Sequence, residues 1–437
     1  MMPDPQVQLA LDFANLAQAL RAAKEAWEGG VRRLEAGTPL IKSEGLEAVR
    51  RLRAEFPAAT IVADMKIMDA GRAEVEMAAK AGANVVTVLG AASDATVAEC
   101  LEAGKRYGVQ VMVDLIEVAD PVSRARQAEQ LGAPLIGVHC PIDVQMEGGD
   151  PLTTLREVAA VVSVPLAVAG GLNSETAPLA VAAGASIVII GGAIIKAPDA
   201  RAAAATILQA LASGEGVATD LFKRVGPEQI REAFLRASCA NISDAMHHQG
   251  WLPGIHALQR GMKCAGPAVT VWAYPGDWSK PVQAIDEAEP GSVLVIDARN
   301  EGPALWGEGA SKSCVSRGLA GVVINGCIRD TTEIIALGFP AFASQIAPQA
   351  GEPKGVGMIG VPLKIGETPV RPGDWIIADG DGVICVPKEQ AVAIANRALD
   401  VVERELRDHA EIDDKGLTLA HIAELQRWDQ TQSGKKE

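Results

Sequence analysis

The sequence predicts an α/β protein: an N-terminal (βα)8 TIM barrel followed by a C-terminal mixed α/β layered domain. Two observations carry most of this. Between residue 8 and about residue 200, eight short apolar runs alternate with Ala-rich stretches of helical period, and a Gly-Ala turn recurs where helix gives way to strand. Beyond about residue 220 the runs are unevenly spaced and Pro-Gly pairs separate them. A length of 437 residues agrees, since it calls for two or three domains, each with its own core.

The eight runs span residues 9–13, 31–36, 61–63, 85–89, 111–115, 135–138, 166–169 and 187–190, with helical stretches such as 73–81 and 95–107 between them. Ala81-Gly82-Ala83, Leu131-Gly132-Ala133 and Ala183-Gly184-Ala185 each place a glycine just past a helix end, where a left-handed residue is wanted. Strands flanked by helices at this spacing imply parallel βα units, and eight near-equal units favour a closed barrel over an open doubly wound sheet. The barrel is assigned to residues 1–212, with the polar stretch around Ser213-Gly214-Glu215-Gly216-Val217 as a linker over 213–220. In the second domain, 221–437, strands are expected at 268–272, 293–297, 322–324, 375–378 and 383–386, with Pro-Gly turns at 275–276, 290–291 and 372–373. A mixed-charge helix from 388 to about 407 closes it, its charges expected on a solvated face, and the polar last dozen residues are expected to fray.

Composition excludes several classes. Net charge is 40 − 55 = −15, which argues against a nonspecific binder of nucleic-acid backbone. No apolar run approaches the roughly 18 residues of a membrane span. Residues 1–10 lack the basic-then-apolar pattern of a secretory signal, so a cytoplasmic location without membrane association is expected. Seven cysteines stand singly with no CxxC pair, the usage of reduced core thiols rather than a disulfide frame or a Cys-based zinc site.

In a barrel, chemistry gathers where the strands end. Those ends are Asp12, Glu35, Asp64 with Lys66, Asp114, His139, Gly170-Gly171 and Gly191-Gly192. One acid could be a helix cap, but four on one mouth repel unless a cation sits among them. In extended geometry Asp64 and Lys66, two apart, project to one side, placing an ammonium beside a carboxylate; a solvated surface pair is the plainer alternative. A lone Gly-Gly is a turn. At the seventh and eighth strand ends, where barrels commonly cradle phosphate with backbone N–H groups, the two pairs point to a phosphorylated substrate.

These residues resemble a known family. Leu9-Ala10-Leu11-Asp12, the segment Glu35-Ala36-Gly37-Thr38-Pro39-Leu40-Ile41-Lys42, Asp64-Met65-Lys66-Ile67-Met68-Asp69, Val86-Thr87-Val88-Leu89-Gly90, Gly137-Val138-His139 and Val168-Ala169-Gly170-Gly171 are similar to the 3-hexulose-6-phosphate synthases of the orotidine 5′-monophosphate decarboxylase superfamily. The resemblance covers nearly all of residues 6–212. It implies a class II aldol reaction of formaldehyde with ribulose 5-phosphate. His139, the sole histidine of the first half, would take the C1 proton. Glu35 and Asp64 would hold Mg²⁺, with Mn²⁺ as the alternative, and Lys66 would add positive charge at the developing oxyanion. Asp12 would orient a sugar hydroxyl, and Asp69, by family analogy, would reach a neighbouring subunit's site, implying a barrel dimer. The nearest competitor, 3-keto-L-gulonate 6-phosphate decarboxylase, shares the metal and the enediolate. There an arginine is expected in the eighth-strand segment, which here reads Gly191-Gly192-Ala193-Ile194. An orotidylate decarboxylase would not need Glu35.

Over roughly residues 222–400 the chain resembles the family of the regulator of ribonuclease activity A and the 4-hydroxy-4-methyl-2-oxoglutarate aldolases, through Asn241-Ile242-Ser243-Asp244-Ala245, Trp306-Gly307-Glu308, Gly326-Cys327-Ile328-Arg329-Asp330, Gly373-Asp374-Trp375 and Gly382-Val383. Glu308 precedes Arg329 by twenty intervening residues, the spacing of the aldolase branch. The resemblance implies a 2-oxo acid held by Arg329 through a bidentate fork, a metal at Asp330, and further carboxylate contacts from a helix opening at Gly307 and Glu308. Two departures stand out: Glu308 where aspartate is usual, and Asn325 where aspartate often precedes the glycine. A non-catalytic regulatory or oligomerising module, a trimer included, is the alternative from a different class, and a surface salt pair the plain reading of Arg329-Asp330. Cys327 is expected to be a small buried residue. His247-His248, successive on a helix, would not face one another as metal ligands.

Overall fold

The structure, a computed structural model, describes residues 5–426; all but the first of the last dozen residues, which are expected to fray, fall outside the described residues, as do the first four residues of the 1–10 stretch. The chain forms two compact units. One takes in the residues up to Gln145, Gly149–Arg224 and those from Glu403 on; the other takes in Met146–Gly148 and Val225–Val402.

The first unit is a closed parallel barrel of β1 (Gln6–Leu11), β2 (Arg33–Ala36), β3 (Thr60–Ile67), β4 (Val85–Leu89), β5 (Gln110–Asp114), β6 (Leu135–His139), β7 (Leu166–Ala169) and β8 (Ile187–Ile190), with β8 pairing back on β1. All eight predicted runs are strands. Alternation divides their side chains between two cores. Leu9, Leu11, Ile61 and Ala63 pack outward under the helices. Ala10, Val62, Met112 and Leu135 fill the barrel interior with their neighbours. Two or four residues further along, the same inward face carries Asp12, Asp64, Asp114 and His139 to the C-terminal mouth. Glu35 pairs in register with inward-facing Ala10 and Val62, so it points into the barrel as well.

The predicted polar connection runs along the barrel. Val217 N–H donates to Ser174 O (3.1 Å), Ser174 Oγ donates to Val217 O (2.8 Å), and Thr219 N–H donates to Glu175 (2.9 Å).

The closing helix spans Ala391–Lys415, longer than expected, and its second half belongs to the barrel unit. There the expectation of a solvated charged face is corrected: Glu403, Arg407 and Glu411 are buried. Arg407 pairs with Glu25 (2.8 Å) and Glu411 (2.9 Å), and Lys415 joins Glu25. Burial opposes both carboxylates' charge, but the Arg407 and Lys415 cations outweigh it and hold Glu25 and Glu411 below the usual carboxylate range. Arg407→Met removes the buried cation between the two acids and leaves them to Lys415 and, for Glu411, Arg21, at a cost of about 3 kcal/mol at neutral pH. Because both acids have depressed folded pKa values, the network's contribution is complete above the unfolded value and fades as pH falls through the folded ones. Urea unfolding of both proteins should show the gap shrinking once pH drops below 4.5, the ordinary value for glutamate.

The second unit is built on a mixed sheet. Its strands are β9 (His256–Ala257), β10 (Cys264–Ala273), β11 (Val293–Asp297), β12 (Gly321–Ile328), β13 (Ala341–Ile346), β14 (Gly357–Ile359), β17 (Trp375–Asp379) and β18 (Gly382–Val386); β15 (Leu363–Ile365) and β16 (Thr368–Val370) form a separate hairpin. The sheet order is β18-β17-β10-β11-β12-β13-β9, with β14 also on β10. Strands β10 to β13 are parallel and joined by helices Ser279–Glu287, Glu308–Arg317 and Thr331–Ala336. This is the layered α/β fold expected, with five further strands that the sequence pattern did not signal. Open parallel sheets present ligand sites beyond the carboxyl ends of their strands, which here are Asp297 and Ile328.

Among the described residues, no helix is long and apolar enough to cross a membrane. All seven cysteines are buried and free.

Candidate active sites

The barrel mouth brings Asp12, Glu35, Asp64, Lys66, Asp114 and His139 into one electrostatic cluster. Lys66 Nζ lies 2.9 Å from Asp64 Oδ2 and 3.2 Å from Asp114 Oδ2. Asp114 Oδ2 also faces His139 Nδ1 at 3.2 Å, while Ile116 N–H donates to its other oxygen. Asp64 accepts from the Thr38 and Thr87 hydroxyls at 2.7 and 2.8 Å. Asp64 and Lys66 are therefore a buried, directed pair rather than a solvated one, but simple alternation does not bring them together. The β3–β4 ladder slips between Ala63 and Ile67, and Lys66 sits at φ 46°, left-handed for a residue with a side chain. Thr87 Oγ1 accepts its N–H at 2.9 Å and holds that strained turn.

The charges sort themselves by environment. Burial works against the Lys66 ammonium, but Asp64 and Asp114 more than compensate and hold it protonated above the usual lysine range. Burial likewise opposes Asp114, and His139 and Lys66 outweigh it, keeping that carboxyl below its usual range. Glu35 goes the other way. Burial, then the charges of Asp64 and Asp12, push it well above the carboxylate range despite a hydrogen bond from Gln8. Asp12 keeps an accessible carboxylate at the mouth, yet the protein packed around it and the Asp64 charge raise it too.

At Glu35 the positive charge of Lys66 is outweighed by burial and by the charges of Asp64 and Asp12. Among the described residues no three His, Cys, Asp or Glu side chains group as a metal cage. Glu35 and Asp64 instead offer two hard oxygen donors, and Mg²⁺ commonly takes one or two carboxylates and fills its shell with water and substrate oxygens. The residues fit that ion.

Around the cluster the backbone comes close. A Cβ on Gly37 would sit 2.2 Å from Asp12 Oδ1, and one on Gly170 would sit 2.7 Å from Cys140 O. Gly170 and Gly171 are left-handed at φ 114° and 68°. Gly191 lies against Asp12, and Gly192 against the Phe222 ring. Asp69 is not brought into this cluster. It is exposed and accepts from Ala70 N–H at 2.7 Å.

In the second unit, Trp306, Gly307, Arg329 and Asp330 line a cavity of about 300 Å³ with Trp278 and Val282. Gly307 caps the helix Glu308–Arg317, as expected. Its Cβ would lie 2.4 Å from Asp330 Oδ2, so glycine is required there. Asp330 is left-handed at φ 55°, accepts from Glu308 N–H at 3.1 Å and stands 3.6 Å from Arg329 Nε. The first helix N–H is therefore spent on Asp330 rather than left for a ligand. The Glu308 carboxylate turns to Lys312 at 2.6 Å, away from Asp330. Asn325 donates to Asp297 Oδ1 at 2.8 Å, a contact that an aspartate could not make without repulsion. Cys327 is 2% exposed and burial raises its thiol, so it is a packing residue. His248 is exposed and pairs with Asp244 at 3.5 Å.

Sequence reasoning placed Asp114 at the mouth without seeing that it joins Lys66 to His139. It missed Thr38 and Thr87, although a threonine inside an otherwise apolar strand is a visible signal. It also missed Gln8 and Lys196; the charge of Lys196 is felt at Asp12.

Fold and site together define a (βα)8 barrel enzyme in which an Asp-x-Lys pair, a histidine and buried carboxylates share one mouth. Residues 5–207 match the orotidine 5′-phosphate decarboxylase/HUMPS family, and residues 239–385 match the RraA-like family, described as Aldolase/RraA. The 3-hexulose-6-phosphate synthase of Bacillus subtilis is 38% identical over 212 residues, which is 48% of this chain and all of that protein. The chain belongs to the orotidine 5′-phosphate decarboxylase/HUMPS family through its barrel, with 3-hexulose-6-phosphate synthases, which are lyases, as its relatives, and it carries an RraA-like domain after it. Among solved structures, 3-hexulose-6-phosphate synthase from Salmonella typhimurium is 36% identical, covering 48% of this chain and 100% of that one, with a TM-score of 0.47. The RNA-processing inhibitor RraA from Thermus thermophilis is 27% identical, covering 35% and 93%, with a TM-score of 0.33.

Proposed function

We propose that the barrel joins formaldehyde to ribulose 5-phosphate, reversibly, giving 3-hexulose 6-phosphate. The observation that carries this is the chain from Lys66 through Asp114 to His139, a base and a fixed cation sharing one buried carboxylate. Asp114 holds the Nδ1 edge of His139, which leaves Nε2 to take the C1 proton of the ketose. The electron pair left at C1 forms the new bond to the formaldehyde carbon, and the formaldehyde oxygen takes up a proton. Lys66, kept charged by two carboxylates, stabilises negative charge on the sugar oxygens as the proton leaves. Mg²⁺, which Glu35 and Asp64 would hold, supplies further positive charge at those oxygens. Asp12 orients a sugar hydroxyl, and the backbone at Gly170, Gly171, Gly191 and Gly192 receives the phosphate. Asp69, exposed and outside its own chain's cluster, completes the site of a second barrel in a dimer. The test is consumption of ribulose 5-phosphate by the full chain with Mg²⁺, with and without formaldehyde. Loss of a carboxylated hexulose phosphate instead would favour the 3-keto-L-gulonate 6-phosphate decarboxylase reading.

For the RraA-like domain we infer a metal-assisted lyase acting on 2-oxo acids, cleaving a 4-hydroxy-2-oxo acid or decarboxylating oxaloacetate. The cavity at Arg329 and Asp330 supports it, since a planar guanidinium there can grip a carboxylate while Asp330, as sole carboxylate among the cavity's described lining, offers Mg²⁺ or Mn²⁺ an oxygen. Arg329→Lys keeps the charge but removes the fork, so oxaloacetate decarboxylation should fall roughly tenfold or more in kcat/KM. The turned-away Glu308 and the Asn325–Asp297 bond favour a second reading, a regulatory or oligomerising (for example trimeric) module. Absence of turnover of any 2-oxo acid by the wild type, with retained protein binding, would establish that one.

A further inference from the structure

The segment that follows the barrel reaches back to its phosphate end. Beyond the hydrogen bonds of Val217 and Thr219, Lys223 pairs with Glu175 at 2.8 Å. Between them Phe222 is driven into a conformation that residues with side chains avoid, φ 55°. Its N–H donates to buried Glu403 at 2.6 Å, and Asn173 Nδ2 donates to its carbonyl at 3.4 Å. The result of that strain is the ring's position. It is 8% exposed and lies so close to Gly192 that a Cβ there would fall 1.9 Å from the ring. Lys196 Nζ stands over the same ring at 5.6 Å from its centroid.

These contacts form one continuous path. Asp12 lies against Gly191, Gly192 against Phe222, and Phe222 against Lys196. A phosphate dianion bound at the strand-seven and strand-eight glycines needs a countercharge, and backbone N–H groups supply only partial charge. Lys66 is committed to Asp64 and Asp114. The eighth-strand segment has alanine and isoleucine after its glycines. The ammonium that the fold brings to that turn is Lys196, over the Phe222 ring; the Arg224 guanidinium, 4.1 Å from the same ring, is buried and paired with Glu403 at 3.5 Å.

Resting on the reading of a phosphorylated substrate, we propose that Lys196 is the phosphate-binding cation of the barrel and that Phe222, from the segment after the barrel, is its positioning residue. The interdomain segment is then part of the substrate site rather than a tether. The substrate class this selects is a sugar phosphate whose dianion sits on a lysine point charge rather than in an arginine fork.

The test uses the full chain, with inorganic phosphate as a calorimetric probe and ribulose 5-phosphate at saturating formaldehyde for kinetics. Lys196→Met should raise the Kd for inorganic phosphate and the KM for ribulose 5-phosphate by roughly tenfold or more, with kcat changed less than about twofold. Lys196→Arg should recover most of the loss. Phe222→Leu, which keeps an apolar plug, should raise KM by a smaller factor without changing kcat. Wild-type constants for Lys196→Met overturn the proposal, as does equal loss in Lys196→Arg and Lys196→Met. If phosphate binding weakens in Lys196→Met while the wild type consumes no formaldehyde, Lys196 stands and the synthase reading falls. If the wild type binds no phosphate, both fall.

Discussion

Asp64→Ala should abolish formaldehyde-dependent loss of ribulose 5-phosphate, and EDTA treatment of the wild type should do the same. Asp64 is tied into the mouth on several sides: it holds Lys66 and accepts from Thr38 and Thr87, and in the proposed mechanism it would hold Mg²⁺ together with Glu35. Removing one preorganised electrostatic group from such a site costs roughly 10²–10³ in kcat, and Asp64 supports two. The alanine also strands two threonine hydroxyls, so Asp64→Asn, whose amide oxygen can accept from one of them while its NH2 donates to the other, separates lost chemistry from lost folding. Added Mg²⁺ should restore the EDTA-treated wild type and neither variant. Activity surviving both EDTA and Asp64→Ala would sink the metal-assisted mechanism in favour of a lysine Schiff base at Lys66 or Lys42. The geometry speaks against Lys66 in that role, because an imine-forming lysine must first lose its proton and this one is held charged by two carboxylates. Borohydride trapping with ribulose 5-phosphate would decide it.

The barrel was legible in the sequence because each of its strands is a short apolar run with its own turn, and because alternation is a local rule. Once Ala10, Val62 and Met112 face inward, Asp12, Asp64 and Asp114 must do so too. What was not legible depends on partners distant in the chain. Asp114 reads as one more strand-end acid until β3 and β6 bring Lys66 and His139 to it. Lys66 looks extended in Asp64-Met65-Lys66, since nothing in three residues signals a bulge held by Thr87 from the next strand. Glu403, Arg407 and Glu411 recur at helical spacing with mixed charge, which ordinarily marks a solvated face; partners distant in the chain, Glu25 for Arg407, Arg21 for Glu411 and the Phe222 N–H for Glu403, make them interior. In the second unit, β14, β15 and β16 have three residues each, too few for any period to show. Strand β13 carries Ser344 and Gln345 before its last residue, Ile346, and these break its apolar run.

His139→Gln should leave the barrel folded and still able to bind ribulose 5-phosphate, yet lose exchange of the sugar's C1 proton with deuterated water by roughly 10²–10⁴-fold. The ring is partly exposed at the mouth, and glutamine is close to it in length, so neither a cavity nor a buried unpaired charge is created. Exchange is the sharper readout because it reports proton removal before any carbon–carbon bond forms, independently of formaldehyde. Asp114→Asn separates orientation from proton transfer. It keeps the shape but removes the charge that Lys66 and His139 share, so exchange should fall by a smaller factor than in His139→Gln. The double variant should lose little more than His139→Gln alone, because a residue that orients a base has nothing left to orient once the base is gone. Undiminished exchange in His139→Gln would rule out the histidine as the base. Fully additive losses in the double variant would show that Asp114 acts through Lys66 rather than through His139.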